Sequence, residues 1–535
     1  QTKGDSHVSS ENPTRRTFIK GAAAGAAVIS LNAASYARVY KANEKIGVGF
    51  VGVGGRCQAH LDIIAKMQKE NKGVAAVAVC DVWDGHEDDY EVVGQGGKKT
   101  TRHYGQGLKP SAKKVGLNPD DKKHVVKDYR ELLDLGEVDV VVCATPDHWH
   151  AKVSIDAMNK KKHVYCEKPM TKTIEEAQAV VDAWNKNSDA VMTVGVQSMA
   201  DPTWRKANEL IKAGKIGHLA QAQTSYYRNS SVGQWRYYRL YKEMNPQTIN
   251  WDMFLGHDFE VLKGVPLGPS AKDMPFDRAV FGQWRCYWPF GGGMFTDLFV
   301  HQTTHIITAM GVRYPGRVAA GGGLYLEYDG RDVPDVTAIV ADYDEGCQLM
   351  VTATMINSYP IEEVIRGHLG TIKFVQGGFQ ILKDDPSQQA GKPARLEKTV
   401  DPDETVMAGI EGYTRDEWGP NFDTAALWGH FLDCVRSGKR DTLCPPDLGA
   451  AAFTTVSMGV KSYREGKAFF WDKNERKVTE ADASWASRLE KRSKERGKPK
   501  EIAGYTGGPE GSSLQPPDYQ KLGGPWTNGK DPAEG

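Results

Sequence analysis

The sequence predicts an α/β protein with two main parts, a doubly wound parallel sheet and then an α/β domain built on an open, mainly antiparallel sheet. Short apolar runs alternate with helical patterns from residue 45 to residue 196, as in a parallel sheet covered by helices on both faces. A glycine turn follows the first of these runs. Beyond residue 196 the runs are longer and alternate apolar with polar residues, which is typical of antiparallel strands with one exposed face.

The glycine turn lies in the segment KIGVGFVGVGGRC at residues 45–57. An apolar run leads into Gly52, Gly54 and Gly55, and a helical pattern begins after Arg56. Glycines at such a place let the backbone approach a pyrophosphate, which the free N–H groups at the helix N-terminus can bind. A cysteine stands where a third Gly or Ala is usual, and an ordinary βα turn could carry the same glycines. Together with the alternation that follows, the turn predicts a Rossmann dinucleotide-binding domain.

A second apolar run, VAAVAVC at residues 74–80, ends on Asp81. A carboxylate at the tip of the second strand can accept hydrogen bonds from the ribose hydroxyls of adenosine. Because its charge would repel a 2′-phosphate, we expect NAD rather than NADP as the cofactor. The alternative is a plain helix N-cap that binds no ligand.

The other elements of this domain follow in chain order. The polar, glycine-rich segment at 82–123 is expected to be a long loop with some helix. The continuous β-branched run at 138–144 is typical of a strand buried on both faces. Further patterns predict strands at 125–129, 163–166 and 191–196, and helices at 130–135, 148–159 and 174–187.

A second domain, for substrate binding and oligomerisation, is expected at residues 197–480. It contains an irregular, aromatic insert at 228–289. Its patterns predict strands at 219–227, 336–343, 348–355 and 371–374, and helices at 202–213, 425–436 and 450–465. The tail at 491–535 is rich in Gly, Pro, Lys and Ser, so we expect it to be extended or disordered.

Composition limits the classes of function. The 535 residues suffice for two or three domains, and the 68 basic residues are balanced by 68 acidic ones. A net charge of zero offers no electrostatic case for a nucleic-acid partner. None of the eight cysteines falls in a C-x-x-C pair, so the spacing of a zinc site is absent.

Residues 1–37 are expected to form an export leader. The segment TRRTFIK at 14–20 carries the pair Arg15-Arg16, and a mildly apolar run with small residues follows it as far as Ala37. This pattern resembles a bacterial twin-arginine signal, and it predicts a periplasmic or otherwise exported protein. The run is too short and too weakly apolar for a membrane span, so an integral membrane protein is not expected. The alternative is a basic amphipathic N-terminus that is not a targeting signal.

Two strand ends carry residues that could do chemistry. Glu167-Lys168-Pro169 directly follows the fifth predicted strand, and such strand ends border the ligand crevice of an open α/β sheet. A lysine there can donate a proton or a hydrogen bond to a hydroxyl group, although on position alone Lys168 could be a surface residue. The DHWH segment at 147–150 also follows a strand, and we expect His150 to face the cofactor or substrate.

A third candidate is the segment GGGMFTDLFVHQTTH at 291–305, which predicts a glycine entry into a helix. Asp297, His301 and His305 are spaced four residues apart and so lie close to one helical face. A His held near an Asp can act as an acid–base unit. The same face could bind Zn, Mn or Fe, or it could be a helix with satisfied polar side chains; we expect no metal.

The aromatic insert supplies candidate substrate residues. Aromatic faces stack on the C–H faces of pyranose rings, but aromatics also favour cores and subunit interfaces, and both interpretations stand. The residues concerned are Tyr226, Tyr227, Trp235, Tyr237, Tyr238, Trp251, Trp284, Tyr287 and Trp288.

Three motifs together resemble the Gfo/Idh/MocA oxidoreductase family over roughly residues 45–470. The EKP motif of the family stands here as Glu167-Lys168-Pro169, and its GGG…D…H motif as 291–293 with Asp297 and His301. Its TP turn after the fourth strand stands as Thr145-Pro146. The order of the three motifs, each at a compatible element, makes the resemblance far more specific than any one of them.

The resemblance implies an acid–base set of Lys168, Asp297 and His301. His301 would take the proton of a substrate hydroxyl as hydride passes to nicotinamide, Lys168 would orient that hydroxyl, and Asp297 would assist. The implied cofactor residues are Gly52, Gly54, Gly55, Arg56, Asp81, Thr145, Pro146, His150, Glu167 and Lys168. The expected substrate residues are Tyr227, Trp284, Trp288 and His305. Phe299, Thr304 and His305 depart from the family pattern and leave the substrate open.

An exported protein that uses NAD is expected to regenerate the cofactor on the enzyme, without releasing it. The twin-arginine route carries folded proteins, and no nicotinamide pool is expected outside the cytoplasm, so such a member should hold NAD tightly. We therefore expect an exported NAD-dependent oxidoreductase, a homo-oligomer like many family members, that acts on a ring hydroxyl of a pyranose sugar or glycoside. One alternative is a redox-neutral NAD-dependent glycoside hydrolase with the same site. Another is a sugar-binding protein with a vestigial site.

Overall fold

The computed structural model describes residues 45–93, 99–384 and 403–495. The predicted leader at 1–37 and residues 496–535 of the predicted tail lie outside these ranges, so both remain predictions.

The N-terminal part is the predicted doubly wound sheet. Its strands are β1 (Ile46–Val51), β2 (Val74–Cys80), β3 (His86–Val93), β4 (Lys99–Gln106), β5 (Val125–Val126), β6 (Val140–Cys143), β7 (His163–Glu167) and β8 (Met192–Gly195). Its helices are α1 (Cys57–Lys69), α2 (Leu108–Lys114), α3 (Tyr129–Leu133), α4 (Asp147–Asn159) and α5 (Ile174–Lys186). Six strands pair in parallel in the order β5-β2-β1-β6-β7-β8. β1 and β6 are buried along their whole length, as strands covered on both faces should be.

The segment at 82–123, predicted as a loop with some helix, is instead an antiparallel hairpin followed by α2. β3 pairs with β4 from His86 opposite Gln106 to Val93 opposite Lys99. Polar cross-strand pairs hold it, such as Lys99 with Glu91 at 2.8 Å. The prediction was wrong because a hairpin that is polar on both faces lacks the apolar alternation by which strands are recognised.

The second part is a mixed sheet of eleven strands, antiparallel except for the parallel pair β9 and β14. Its strands are β9 (Leu219–Asn229), β12 (Arg317–Gly323), β13 (Val336–Asp342), β14 (Gln348–Thr354), β15 (Ile356–Asn357), β16 (Val364–Gly367), β17 (Gly370–Val375), β18 (Gly378–Lys383), β19 (Glu404–Met407), β20 (Phe469–Asp472) and β21 (Lys477–Glu480); a separate small pair is β10 (Glu260–Leu262) with β11 (Val265–Pro266). Its helices are α6 (Thr203–Lys212), α7 (Trp251–Leu255), α8 (Arg278–Gly282), α9 (Gly293–Asp297), α10 (Phe299–Met310), α11 (Arg415–Trp418), α12 (Phe422–Ser437), α13 (Pro446–Glu465) and α14 (Ser484–Glu495). α10 and α13 pack on one face of the sheet, which confirms the predicted open, mainly antiparallel domain.

The aromatic insert at 228–289 forms a small core of its own. Trp251 stacks on Phe254 with the ring centroids 5.0 Å apart, and Trp83 of the N-terminal part stacks on Tyr241 at 6.3 Å. Met244, Trp284 and Phe290 belong to the same buried cluster. Most of the aromatic residues therefore build structure rather than a sugar platform.

One helix of the C-terminal half completes the core of the N-terminal part. Trp428 of α12 stacks on Tyr165 of β7 at 4.6 Å, and its indole nitrogen donates to Nδ1 of His60 at 2.9 Å. The chain thus returns to the first sheet after the second is built.

The first residues of the predicted tail are helical, because α14 continues to Glu495. Trp485 anchors the helix against Phe470 at 6.1 Å, and Arg488 pairs with Asp344 at 3.0 Å. All eight cysteines are buried and free. Over the described ranges, no helix has both the length and the apolar character needed to cross a membrane.

Candidate active site

The glycine turn places backbone at the floor of a cleft. Gly52 has a φ of 81°, and a Cβ there would lie 2.6 Å from the nitrogen of Thr145, so only glycine fits. A Cβ on Gly54 would meet nothing within 4 Å, so this residue faces the open cleft. α1 starts just beyond the turn without a side-chain cap, which leaves the N–H groups of its first turn free to bind an anion.

The cleft runs along the carboxyl ends of β1, β2 and β6. Asp81 follows β2 and accepts a hydrogen bond from the nitrogen of Trp83 at 2.9 Å. Desolvation raises the pKa of Asp81 to about 6. The predicted residues that line the cleft are Gly52, Gly54, Gly55, Arg56, Asp81, Thr145, Pro146 and Trp284.

These residues fit a dinucleotide. The open side of Gly54 and the free helix N-terminus suit a pyrophosphate, and Asp81 suits the adenosine ribose. We assign the holding of NAD to this set, with Thr145 and Pro146 next to the glycine turn.

His150 does not face the cleft, contrary to prediction. It is buried, with Nδ1 2.6 Å from the carbonyl oxygen of Pro169 and Nε2 2.9 Å from that of Thr145. The helical periodicity of α4 directs the His150 side chain into the protein interior. Its two ring nitrogens there connect the turn at Thr145 with the segment that follows β7. It supports the cleft wall without lining it.

Glu167 is also a supporting residue rather than a cleft residue. It accepts hydrogen bonds from Nε of Arg56 at 3.0 Å and from Nε2 of His60 at 2.9 Å. Desolvation works to raise the pKa of Glu167, but Arg56 and His60 overcome it and hold the pKa well below its usual range. The last residue of β7 is thus a buried carboxylate that fixes Arg56 at the cleft rim.

Lys168 and Asp297 meet as predicted. The Nζ of Lys168 donates to Oδ1 of Asp297 at 2.7 Å and to its carbonyl oxygen at 2.9 Å. Arg285 donates to Oδ1 at 3.2 Å, and the indole of Trp235 donates to Oδ2 at 2.9 Å. Although desolvation opposes ionisation, Lys168 and Arg285 hold the pKa of Asp297 far below its usual value. Asp297 is therefore a fixed anion that holds two cations in place.

The glycines before Asp297 serve close packing. Gly293 has a φ of 57°, and a Cβ there would lie 2.6 Å from the Cβ of Val333. The chain then breaks at Leu298, so Asp297 ends the short helix α9 while His301 lies in α10. The predicted single helical face of Asp297, His301 and His305 is therefore wrong.

His301 lies in the first turn of α10, partly exposed, with its ring centroid 6.0 Å from that of Tyr226. Desolvation by the surrounding protein and the charge of Lys168 hold the pKa of His301 well below its usual value. Its imidazole is therefore neutral near pH 7 and able to accept a proton.

Tyr227 points away from α10, whereas its neighbour Tyr226 faces that helix. In β9, Tyr226 faces α10 and His301, whereas the hydroxyl of Tyr227 bonds Thr352 of β14 at 2.9 Å on the other face. Successive side chains of a strand point to opposite faces, so an error of one residue reverses the assignment.

Trp288 and His305 are likewise structural. Trp288 packs beside Tyr463, with the guanidinium of Arg464 5.2 Å from its ring centroid. His305 is buried and stacked on Trp204 at 3.9 Å, with Nε2 2.7 Å from a carboxylate oxygen of Glu363. Neither lines the cleft. No cluster of three or more His, Cys, Asp or Glu residues in the described part of the chain has the arrangement of a metal site.

Sequence reasoning missed several residues at the site. Arg285 lines the cleft, with its guanidinium 4.2 Å from the ring centroid of Trp284. Trp235 is fully buried with a φ of 63°, a rare conformation for a residue of its size that directs the indole to Asp297. Neither residue stands in a sequence motif, and no local pattern marks Arg285 or Trp235 as part of a site.

A further missed residue is Asp147, the first residue of α4. It is buried at the site, and desolvation raises the pKa of Asp147 to about 8 although Arg285 works against this. It is therefore mainly a neutral acid at pH 7.

Residues 46–195 match the family model GFO_IDH_MocA, described as an oxidoreductase family with an NAD-binding Rossmann fold. The glycine turn and Asp81 lie within the match. This part of the chain is therefore similar to the NAD-binding Rossmann domain of that family, as the predicted resemblance implied. The predicted fold class and cofactor are confirmed.

Curated relatives carry two kinds of activity. An inositol 2-dehydrogenase from Salmonella paratyphi B is 26% identical over 223 residues, which cover 41% of this chain and 55% of that protein. An alpha-N-acetylgalactosaminidase from Shewanella oneidensis is 26% identical over 206 residues, which cover 36% of this chain and 40% of that protein. The chain thus spans about half the length of the curated relatives it matches.

Among solved structures, a levoglucosan dehydrogenase complexed with NADH and levoglucosan superposes with a TM-score of 0.51 at 17% identity. The superposition covers 82% of this chain and 99% of that one. It confirms that the likeness in fold extends beyond the Rossmann domain into the second sheet.

Proposed function

We propose that this chain is an exported NAD-dependent oxidoreductase that oxidises a ring hydroxyl of a pyranose sugar or glycoside. The observation that carries the proposal is the Lys168–Asp297 ion pair, which Arg285 connects to the cleft that fits NAD. The neutral imidazole of His301 lies within the field of Lys168. The dehydrogenase relatives, one for inositol and one for levoglucosan, support a polyhydroxylated ring as substrate.

The two catalytic side chains have complementary roles. His301, uncharged at neutral pH, accepts the proton of the substrate hydroxyl. Lys168, held by Asp297, donates a hydrogen bond to the same oxygen and stabilises the negative charge that develops there. NAD, when bound, supplies the hydride acceptor. Because Asp297 is already an anion bonded by Lys168, Arg285 and Trp235, its role is to hold the cations rather than to exchange protons.

The aromatic insert supports tight retention of the cofactor. Side chains of the insert, with Trp83 and Tyr104 of the N-terminal part, form the wall opposite the glycine turn. The insert residues concerned are Tyr238, Arg239, Met244, Phe254, Phe281 and Trp284. A wall anchored in its own core costs little to order when NAD binds, which favours affinity. Tight retention suits a protein exported to a place without a nicotinamide pool.

A redox-neutral glycoside hydrolase is the second candidate, favoured by the alpha-N-acetylgalactosaminidase relative. The same groups would serve it, because transient oxidation of a ring carbon acidifies the neighbouring C–H and permits elimination of the aglycone. Water would then add to the resulting double bond, and the ketone would be reduced back to the hydroxyl to give the free sugar. The two candidates differ in whether free sugar is released without an added electron acceptor. A sugar-binding protein with a vestigial site is disfavoured by the intact contact between Lys168 and Asp297.

The test starts with the purified protein, denatured, and mass spectrometry of the small molecules it releases. We expect about one NAD per chain. The native protein is then incubated with panels of methyl glycosides and free sugars, while absorbance at about 340 nm reports reduced cofactor and chromatography reports released sugar. Cofactor reduction without cleavage supports the oxidoreductase, and cleavage without net reduction supports the hydrolase. Neither response, together with an empty protein, would contradict both.

A further inference from the structure

Arg228 lies at the substrate side of the site, two residues beyond Tyr226 on the same face of β9. Its guanidinium is 4.7 Å from the ring centroid of Tyr226 and donates a hydrogen bond to that residue's hydroxyl. Tyr226 in turn faces His301 at 6.0 Å. A single aromatic ring therefore separates the guanidinium from the imidazole that would accept the substrate proton.

Arg228 differs from the other arginines around the site in having no carboxylate partner. In the described part of the chain, no Asp or Glu oxygen lies within salt-bridge distance of its guanidinium. Four arginines nearby each have one, namely Arg56 with Glu167, Arg236 with Asp329, Arg285 with Asp297 and Arg331 with Asp329. A half-buried guanidinium with only a phenol and a ring as partners still lacks the anion that would satisfy its planar donors.

The charges around Arg228 do not balance. Lys168 and Arg285 share the single carboxylate of Asp297, which leaves that cluster with one excess positive charge before Arg228 is added. Asp147 contributes little negative charge near pH 7, since burial favours its neutral form and raises its pKa to about 8. His301 is neutral as well. An anionic ligand would meet an attractive field on the substrate side.

Tyr237 packs beside Tyr238 with the ring centroids 4.9 Å apart, and the guanidinium of Arg285 lies 5.8 Å from the ring centroid of Tyr238. Desolvation and Tyr238 raise the pKa of Tyr237, Arg228 and Arg285 work to lower it, and the charge of Asp297 works to raise it further. The hydroxyl of Tyr237 thus lies within the fields of all three charges. Tyr237 is 41% exposed, so this space is open to solvent and to a ligand.

We propose that Arg228 binds a carboxylate of the substrate, and that the substrate class is a hexuronic acid or a glycoside of one. The planar guanidinium matches a carboxylate with two parallel hydrogen bonds. The carboxylate of a hexuronate is attached to the ring itself, so one molecule can reach Arg228 and still present a ring hydroxyl to His301 and Lys168. This inference rests on the proposed function and narrows its substrate.

The test measures binding and turnover separately on the NAD-loaded protein. Isothermal titration calorimetry compares potassium D-glucuronate and D-galacturonate with D-glucose, D-galactose and D-glucose 6-phosphate. We expect each uronate to bind at least about tenfold more tightly than its neutral counterpart, as one charge-assisted pair would give. In Arg228→Gln this ratio should fall close to one, and in Arg228→Lys it should recover in part. The control is Arg366→Gln, which removes another half-buried arginine of the same sheet, bonded to Gln221, and should keep the wild-type ratio.

An unchanged ratio in Arg228→Gln, or no preference for uronates in the wild type, would overturn the inference. Tighter binding of the sugar phosphate than of the uronates would overturn the assignment to a carboxylate. Reduction of the cofactor by neutral sugars alone would leave the proposed oxidoreductase standing without this inference. Uronate binding that depends on Arg228, with neither oxidation nor cleavage of any sugar, would keep the inference and refute the proposed chemistry.

Discussion

At the residue scale, the site depends on Lys168, whose ammonium group is held at 2.7 Å by Asp297. We expect Lys168→Met to reduce kcat by about 10²–10⁴, the range that a positioned proton donor or hydrogen-bond donor typically supplies. NAD content should stay near that of the wild type, because Lys168 does not line the cofactor cleft. Steady-state kinetics and cofactor stoichiometry check this. The matched control is Lys152→Met, which removes a lysine paired with Asp156 on the surface of α4 and should change neither value.

The lowered pKa of His301 leads to a prediction about the pH dependence of kcat/KM. Desolvation and then the charge of Lys168 depress the pKa of His301, so its imidazole stays neutral, and competent as a base, far below pH 6.5. The acid limb of kcat/KM against pH should therefore lie well below pH 6.5. In Lys168→Met the acid limb of the residual activity should lie at higher pH, because the positive charge of Lys168 no longer lowers the pKa of His301. A wild-type limb at pH 6.5 or above would mean that His301 is not the base.

The sequence was sufficient to predict the contact between Lys168 and Asp297 and insufficient to predict which aromatic residue faces His301. Lys168, Asp297 and His301 stand in motifs whose spacing is fixed by the chain, and the structure brings Lys168 onto Asp297 as predicted. The choice between Tyr226 and Tyr227 depends on which face of β9 meets α10. The sequence around β9 is too irregular to show which of its two faces is packed against the helix. Arg285 is placed by a 3₁₀ turn at Trp284–Cys286, which has no apolar period to reveal it.

At the scale of the element, α4 begins with a carboxyl group that costs stability. The pKa of Asp147 is about 8 in the folded chain against an ordinary value of 3.8, so the folded state binds more protons than the unfolded state between these values. Stability attributable to Asp147 is present below about pH 4 and is lost as pH rises to about 8. The amide of Asp147→Asn does not ionise. We therefore expect the free energy of unfolding of this variant to rise relative to that of the wild type by a few kcal/mol between about pH 4 and about pH 8. Thermal midpoints at pH 5 and pH 8 check this, and a difference that stays constant with pH would contradict it.

The β3–β4 hairpin lines part of the cofactor cleft, so the second prediction at this scale concerns retention of NAD. Tyr104 lines the cleft and bonds Gln106 at 2.7 Å, whereas its neighbour Tyr90 does not line it. We expect Tyr104→Ala to release NAD about tenfold faster, the equivalent of about 1.4 kcal/mol of lost contact. Tyr90→Ala, whose ring lies 6.3 Å from that of Tyr104, is the matched control. Equal release rates in the two variants would show that the hairpin does not retain the cofactor.

Elements were predictable where one face of the chain is buried. The β-branched run of β6 and the periods of α4 and α5 lie close to their predicted places, because burial on a parallel sheet leaves a strong apolar signal. The β3–β4 hairpin and the last residues of α14 were missed because both are polar. Their order comes from cross-strand pairs and from anchors such as Trp485, whose partner Phe470 is close in space but not in the pattern.

At the scale of the whole molecule, what the sequence could not predict is how distant segments meet. α12 is amphipathic by its own pattern, but nothing local says that Trp428 will reach back to Tyr165 and His60. Through His60 this helix contacts Glu167, which holds Arg56 at the cleft rim. The cofactor cleft is therefore complete only once the second half of the chain has folded, so NAD and the finished fold should be acquired together.

That dependence bears on the proposed export of the chain. A cleft that forms only in the finished fold must be loaded where NAD is abundant, and a route that carries folded proteins keeps the cofactor in place. We expect the double substitution of Arg15 and Arg16 by lysine to leave the protein in the cytoplasm with a normal NAD content, because twin-arginine signals require the guanidinium pair. Cell fractionation of the full chain with a C-terminal epitope checks this, and Lys20→Arg, which alters a neighbouring cation without touching the pair, is the control. Export of the double variant at the wild-type level would show that residues 14–20 are not the address, and NAD retention would then need a reason other than passage across the membrane.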